Sequence, residues 1–208
     1  MKKLLALLFS LFLLSSLSVF ADDISNFEIE RMSVGDSLLD FMNEGQILEG
    51  IEITKERYNH LKEPSKFAQI LLTKELLTYD GVSIYIKNNS TNQYITDRNE
   101  KYIIYALSGM IRYNEDFDGC IQKRDEIEEV LSKMFQDADK SELTGDYSSD
   151  PSGDSFAEVI EFLFPSGAEI ELQCIDMEES FRIKKNWAEG LFVAIHSEEV
   201  IKWFQNTK

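Results

Sequence analysis

Covalent chemistry in this chain, if there is any, would start at Ser37, in the run Gly35-Asp36-Ser37-Leu38. A serine hydroxyl is a weak nucleophile until a base takes its proton, and that base is usually a histidine steadied by a carboxylate. The sequence holds two histidines, His60 and His196. Three residues before them stand Arg57 and Val193, so neither completes an Asp-x-x-His block. The same stretch has a simpler physical use. Ser33 or Asp36 can cap a helix whose apolar stripe is Leu38, Leu39 and Met42.

The quartet at 35–38 is the signature after which a large class of esterases and lipases is named, the GDSL hydrolases. There it follows the first strand of a doubly wound sheet, and a later Asp-x-x-His supplies the base. This chain departs on both counts, since it lacks that block and shows no regular alternation of strands and helices. Ser37 as an esterase nucleophile is therefore the alternative, and a helix start is the main reading.

The second group of candidate residues is acidic. Asp137, Asp139, Glu142, Asp146, Asp150 and Asp154 can supply the oxygen ligands that Ca²⁺ takes. Asp137-x-Asp139-x-Ser141 copies the opening of an EF-hand loop, but the sixth position is Glu142 where the turn needs Gly. The twelfth is Ser148, where a bidentate Glu belongs. The competing account of 137–154 is a solvated acidic loop rich in Ser and Gly. Zinc has no ligand spacing here, and no cofactor is expected.

Cys120 and Cys174 are the two cysteines, and no CxxC spacing suggests redox catalysis. In an oxidising compartment the pair reads as a disulfide, which on the chain-entropy model would contribute about 4 kcal/mol. The other possibility is two buried thiols that never meet. Tyr79, Tyr85, Tyr94, Tyr102, Tyr105 and Tyr113 cluster in one stretch. They can line a ligand surface, although aromatics favour strands for packing reasons alone.

These residues need a frame, and the periodicity supplies one. Asn43-Glu44-Gly45 reads as the stop of the first helix, and Gln46 to about Leu61 as a second helical piece ended by Pro64. Strands are expected at 67–73, 82–86 and 101–113. In the last, Ile103, Tyr105, Leu107, Gly109 and Ile111 share a face, and Gly109 marks a bulge or close packing. A helix follows, capped by Asp116 or Asp118, with Ile121, Ile127, Val130, Leu131, Met134 and Phe135 as its stripe. A hairpin joins 156–164 to 168–175 through Pro165-Ser166-Gly167, and Cys174 lies on its apolar face. A strand at 191–195 and a helix starting at Ser197-Glu198-Glu199 complete the order. The expected fold is α+β: a mainly antiparallel sheet with helices packed on one face and a helical N-terminal lead-in.

Lys2 and Lys3, the apolar run Leu4 to Leu14 and Val19-Phe20-Ala21 have the form of a secretory signal peptide at 1–21. Residues 22–208 would then form a single domain, in a bacterial periplasm or secreted. The apolar run is shorter than the roughly 20 residues of a spanning helix, so no stable membrane anchor is expected after cleavage. The net charge is −17, and a surface so acidic repels phosphate backbones and anionic head groups. Nucleic acid is thus excluded as a partner, leaving an unknown protein or small-molecule ligand.

Several stretches taken together resemble a group of small, exported, uncharacterised proteins of marine bacteria. They are the signal sequence, the run Phe27 to Asp40, Tyr79-Asp80-Gly81-Val82, and Cys120 with Gln122-Lys123-Arg124-Asp125-Glu126-Ile127. The resemblance runs along most of the chain and bears on compartment and fold, with no activity attached. The function expected from all of this is a binding or interaction module.

Overall fold

A computed structural model describes residues 24–58, 61, 65–88 and 95–206. The expected signal peptide, His60 and Tyr94 lie outside the described residues. Seven strands form one sheet: β1 (Phe67–Leu72), β2 (Gly81–Lys87), β3 (Ile104–Arg112), β4 (Asp139–Asp146), β5 (Phe156–Leu163), β6 (Glu169–Asp176) and β7 (Gly190–His196). Their spatial order is β1-β2-β3-β7-β6-β5-β4, and every neighbouring pair is antiparallel. The strand β7 enters between β3 and β6 and joins two three-stranded meanders. Among the described residues four helices accompany the sheet: α1 (Glu44–Arg57), α2 (Phe117–Met134), α3 (Glu179–Lys185) and α4 (Glu198–Asn206). The α+β expectation and the antiparallel sheet are thus observed.

Side chains alternate across a strand, so register divides the sheet into two faces. On the first, Ile70, Ile84, Leu107, Ile195, Ile170 and Phe162 form one cross-strand row. All are buried in the main core, which Ile47 of α1 and Cys120 and Leu131 of α2 close from above. Each such side chain contributes about 1.5–3 kcal/mol by leaving water. Ala106 and Phe67 point the other way and pack with Val200 and Trp203 of α4. Helices therefore lie on both faces, not on one. The apolar stripe of α4 fits either side of a strand, and alternation alone does not choose between them.

Other local expectations shift for identifiable reasons. The run after Asp36 makes only a single 3₁₀ turn, Leu38–Asp40, and the true helix starts at Glu44. Asn43 and Gln46 form a reciprocal capping box, so Asn43-Glu44-Gly45 is a start and not a stop. In β3 a register shift opposite Tyr85 and Ile86 puts Ile104 on the same face as Leu107, reversing its expected side. Gly109 itself is a close-packing site, covered by the Tyr79 ring. Asp116 caps α2 through Gly119 N–H, and Arg124 takes a buried place that leaves Val130 and Met134 exposed. The guanidinium of Arg124 reaches Glu158 on β5 and Asp125, both at 2.8 Å.

The stretch expected as an acidic loop, 137–154, contains β4, paired along its length with β5. It has a free edge, and seven of its eight residues are exposed, so the backbone ladder rather than burial holds it. The opposite edge is shielded by α1, where the Thr54 hydroxyl donates to the Gln69 carbonyl of β1. Cys120 and Cys174 are both fully buried and lie together at disulfide distance, with Cα atoms 6.0 Å apart, tying α2 to β6.

Candidate functional site

On the second face, beyond the area that α4 covers, one cross-strand row runs Gly81, Met110, Phe192, Gln173, Val159 and Leu143. Its first three members form the floor of an open groove of about 610 Å³, a volume in the range of small-molecule sites. Leu71 and Met177 extend the floor, and Tyr58, Tyr147 and Trp187 stand around it. Arg57, Arg112 and Arg182 also line it, which is half of the six arginines in the whole chain.

Each wall has a local cause. Arg57 and Tyr58 mark the end of α1, where Tyr58 N–H closes on Thr54 and the backbone turns extended. Arg112 is the last residue of β3, and its N–H donates to Asp80 Oδ2 at 2.7 Å. Across the sheet, Gly190 starts β7 at φ 130°, so close to β3 that a side chain there would collide with the Ile111 carbonyl. That approach sets Phe192 beside Met110. The helix α3 is capped by Glu178 and ends at Asn186 in the left-handed region, φ 52°. The reversal folds Trp187 back onto Phe181, with ring centroids 5.6 Å apart, and Lys185 lies over both rings.

The electrostatics run against the acidity of the rest of the chain. Neither Arg57 nor Arg112 forms an ion pair among the described residues. Arg182 Nε is buried without a hydrogen bond, 3.5 Å from Glu189 Oε1. Among the described residues Asp80 is the one carboxylate lining the groove. The β1–β2 connection leading to it is held by Glu30, which accepts from the N–H groups of Leu77, Thr78 and Tyr79. Partial burial pushes the Glu30 carboxyl up, but those three donors outweigh it and hold it below its usual range. Glu30 and Arg31 both have positive φ, 53° and 67°, forming a tight turn closed by Ile29 and Met32.

Ser37 is elsewhere and has another task. It is buried, its hydroxyl donates to the Lys101 carbonyl at 2.7 Å, and its oxygen accepts from Leu39 N–H at 3.4 Å. The surrounding chain lies along the start of β3: Gly35 N–H donates to Ile104, Ile104 N–H to Asp36, and Leu38 N–H to Tyr102. Asp36 accepts from Ser33 N–H at 2.9 Å rather than capping a helix. His196 is engaged by Glu169, Nδ1 to Oε1 2.9 Å, and packs on Phe204.

The acidic residues 137–154 are spread out by β4, which separates Asp139 from Asp146 by about 23 Å at strand rise. Asp150 turns inward and accepts from the hydroxyls of Ser155 and Ser152. Its Ser155 bond is the main reason its carboxyl titrates low. Among the described residues no group of three or more His, Cys, Asp or Glu is arranged to hold a metal ion. Among the described tyrosines of the sequence cluster, Tyr85 packs on Trp203 and Phe204 and Tyr105 on Phe67, so they build the core under α4. Sequence reading missed the groove residues altogether. The one signal pointing to them was the scarcity of arginine in so acidic a chain.

Among the described residues no helix is long and apolar enough to cross a membrane. No known protein family, curated protein or solved structure matches this chain.

Proposed function

We propose that this chain is an exported ligand-binding protein whose site is the groove over Met110 and Phe192. The observation that carries the reading is the convergence of Arg57, Arg112 and Arg182 with Tyr58 and Trp187 over an apolar floor. Concave apolar surface with a few fixed polar groups is the usual form of a small-molecule site. Export is supported by the N-terminal sequence and by the placement of Cys120 against Cys174, since disulfides persist in oxidising compartments.

The floor gives a direct test. A Cβ added at Gly81 meets only Leu72 O at 3.7 Å and Met110 Cε at 3.8 Å, ordinary contact distances, so the position accepts a side chain and Gly81→Val directs two methyl groups at the groove. Trp187 at the rim reports occupancy by fluorescence, while Trp203 is buried between α4 and the sheet. Anionic, neutral and cationic amphipaths are titrated against both proteins. Binding by at least one class, lost in Gly81→Val at unchanged melting temperature, supports the site. No binding by any class, or binding indifferent to the substitution, overturns it.

A further inference from the structure

Resting on that reading of the groove, we infer that its ligand is an amphipathic organic anion: a carboxylate or sulfonate head held by the arginines, with an apolar body on the floor. Three arginines line one cavity in a chain of 38 acidic and 21 basic residues. Asp80 and Glu189 offset part of that positive charge, and a bound anion would offset the rest. Arg57 and Arg112 have no carboxylate partner among the described residues. Among the described residues Arg182 pairs with one acid, Glu189, at 3.5 Å and without a hydrogen bond from its Nε. The planar fork of arginine matches a carboxylate or sulfonate in two parallel hydrogen bonds and is weakly hydrated, so it gives up water readily.

Thr73, Asn114 and Asn186 add uncharged polar groups to the lining, and its apolar part speaks for an organic body rather than a bare inorganic ion. Leu71, Met110, Met177 and Phe192 offer no hydrogen bonds, and Trp187 presents a ring edge-on to Phe181. Met side chains adapt to irregular apolar shapes. Beyond Phe192 the same row continues to Gln173, Val159 and Leu143, which line a second shallow depression of about 280 Å³. Tyr147 borders both depressions, so a body longer than the first can lie across the strands toward Leu143. The acidic exterior disfavours an anionic polymer or membrane surface and leaves a small anion able to enter between the arginines.

Dodecanoate, dodecanol and dodecyltrimethylammonium have one tail and three head charges, and titration of each against the full chain separates head from tail. Trp187 fluorescence and calorimetry provide the readouts. Dodecanoate is expected to bind at least tenfold more tightly than dodecanol, with affinity falling as salt rises. The double variant Arg57→Gln/Arg112→Gln should remove that advantage while retaining the weak binding of dodecanol. Equal binding of dodecanoate and dodecanol, both lost in Gly81→Val, would overturn the anion and keep the groove. No binding by any probe would overturn both. Tighter binding of an acidic hexapeptide than of dodecanoate, lost in the arginine variant, would replace the small anion with a protein partner.

Discussion

Arg182 and Glu189 form an ion pair without a hydrogen bond from Nε: Nε and Oε1 are 3.5 Å apart, and the other Glu189 oxygen accepts the Met177 N–H at 3.3 Å. Glu189 is buried, so it both satisfies a backbone donor and restrains the charge of one groove arginine. The two roles separate on substitution. Glu189→Gln keeps an acceptor for Met177 and frees Arg182, so dodecanoate affinity should rise severalfold with little change in stability. Glu189→Ala strands the Met177 N–H and should cost about 1–3 kcal/mol in denaturant unfolding. Equal losses from both variants would show that Glu189 acts only through its charge.

Gly109 and Tyr79 meet as backbone and ring. A Cβ at Gly109 would lie 2.5 Å from Tyr79 Cδ1 and Cε1, far inside van der Waals contact. Burial, helped by the charge of Glu30, raises the Tyr79 phenol to about 12. Gly109→Ala should therefore destabilise the fold by about 1–3 kcal/mol, the usual cost of overpacking. Tyr79→Leu should restore most of it in the double variant, a coupling that a thermodynamic cycle measures. Additive losses would place the strain elsewhere.

These contacts show what sequence periodicity could reveal. The strands β2 and β6 were legible because their buried residues alternate, β5 as the other arm of a hairpin with β6, and β7 as a short apolar run; Cys174 fell on the buried side of β6. β4 was not, because Asp139 to Asp146 offers Leu143 as its single large apolar residue, and that residue is exposed. Backbone pairing with β5 makes it a strand, and pairing leaves no mark in composition. α3 is seven residues long, too short to show a stripe. The groove was hidden for a different reason. Arg57, Arg112 and Arg182 come from the ends of α1, β3 and the body of α3, so no local spacing connects them. Ser37 was conspicuous in sequence, and only tertiary contact with Lys101 reveals its work.

Ser37→Ala tests that work. Loss of the hydroxyl leaves the Lys101 carbonyl without its donor and removes the acceptor for Leu39 N–H. A stability loss of about 1–2 kcal/mol is expected, with turnover of a model ester at background level in both proteins. Ester turnover that disappears in Ser37→Ala would reinstate the hydrolase.

Cys120 and Cys174 should yield no free thiols when the unfolded, unreduced protein is titrated. Reduction, or the double change to Ser, should lower stability by about 2–4 kcal/mol, because the crosslink limits the unfolded chain. Two titratable thiols would show that the cysteines are only neighbours.

Acid should act in opposite directions on two glutamates. Glu30 titrates low in the fold, so its contribution is present above its unfolded value of 4.5 and is lost as pH falls through the lower folded one. Glu171 titrates high, first because it is buried and then because Glu169 and Glu161 crowd it, although His196 partly offsets them. Glu161 stands directly opposite it across β5 and β6. Its charged form therefore destabilises the fold at neutral pH, and that penalty disappears as pH falls through its raised folded value. Glu171→Gln should stabilise the fold at pH 7 by about 0.2–1 kcal/mol of relieved like-charge contact, raise the melting temperature there and flatten the profile above pH 4.5. Glu30→Gln should lower it at pH 7 and flatten the profile below pH 4.5. A melting series from pH 3 to pH 8 on the three proteins separates the two limbs. A wild-type curve unaffected by either substitution would mean that neither carboxylate is set apart from solvent by its neighbours.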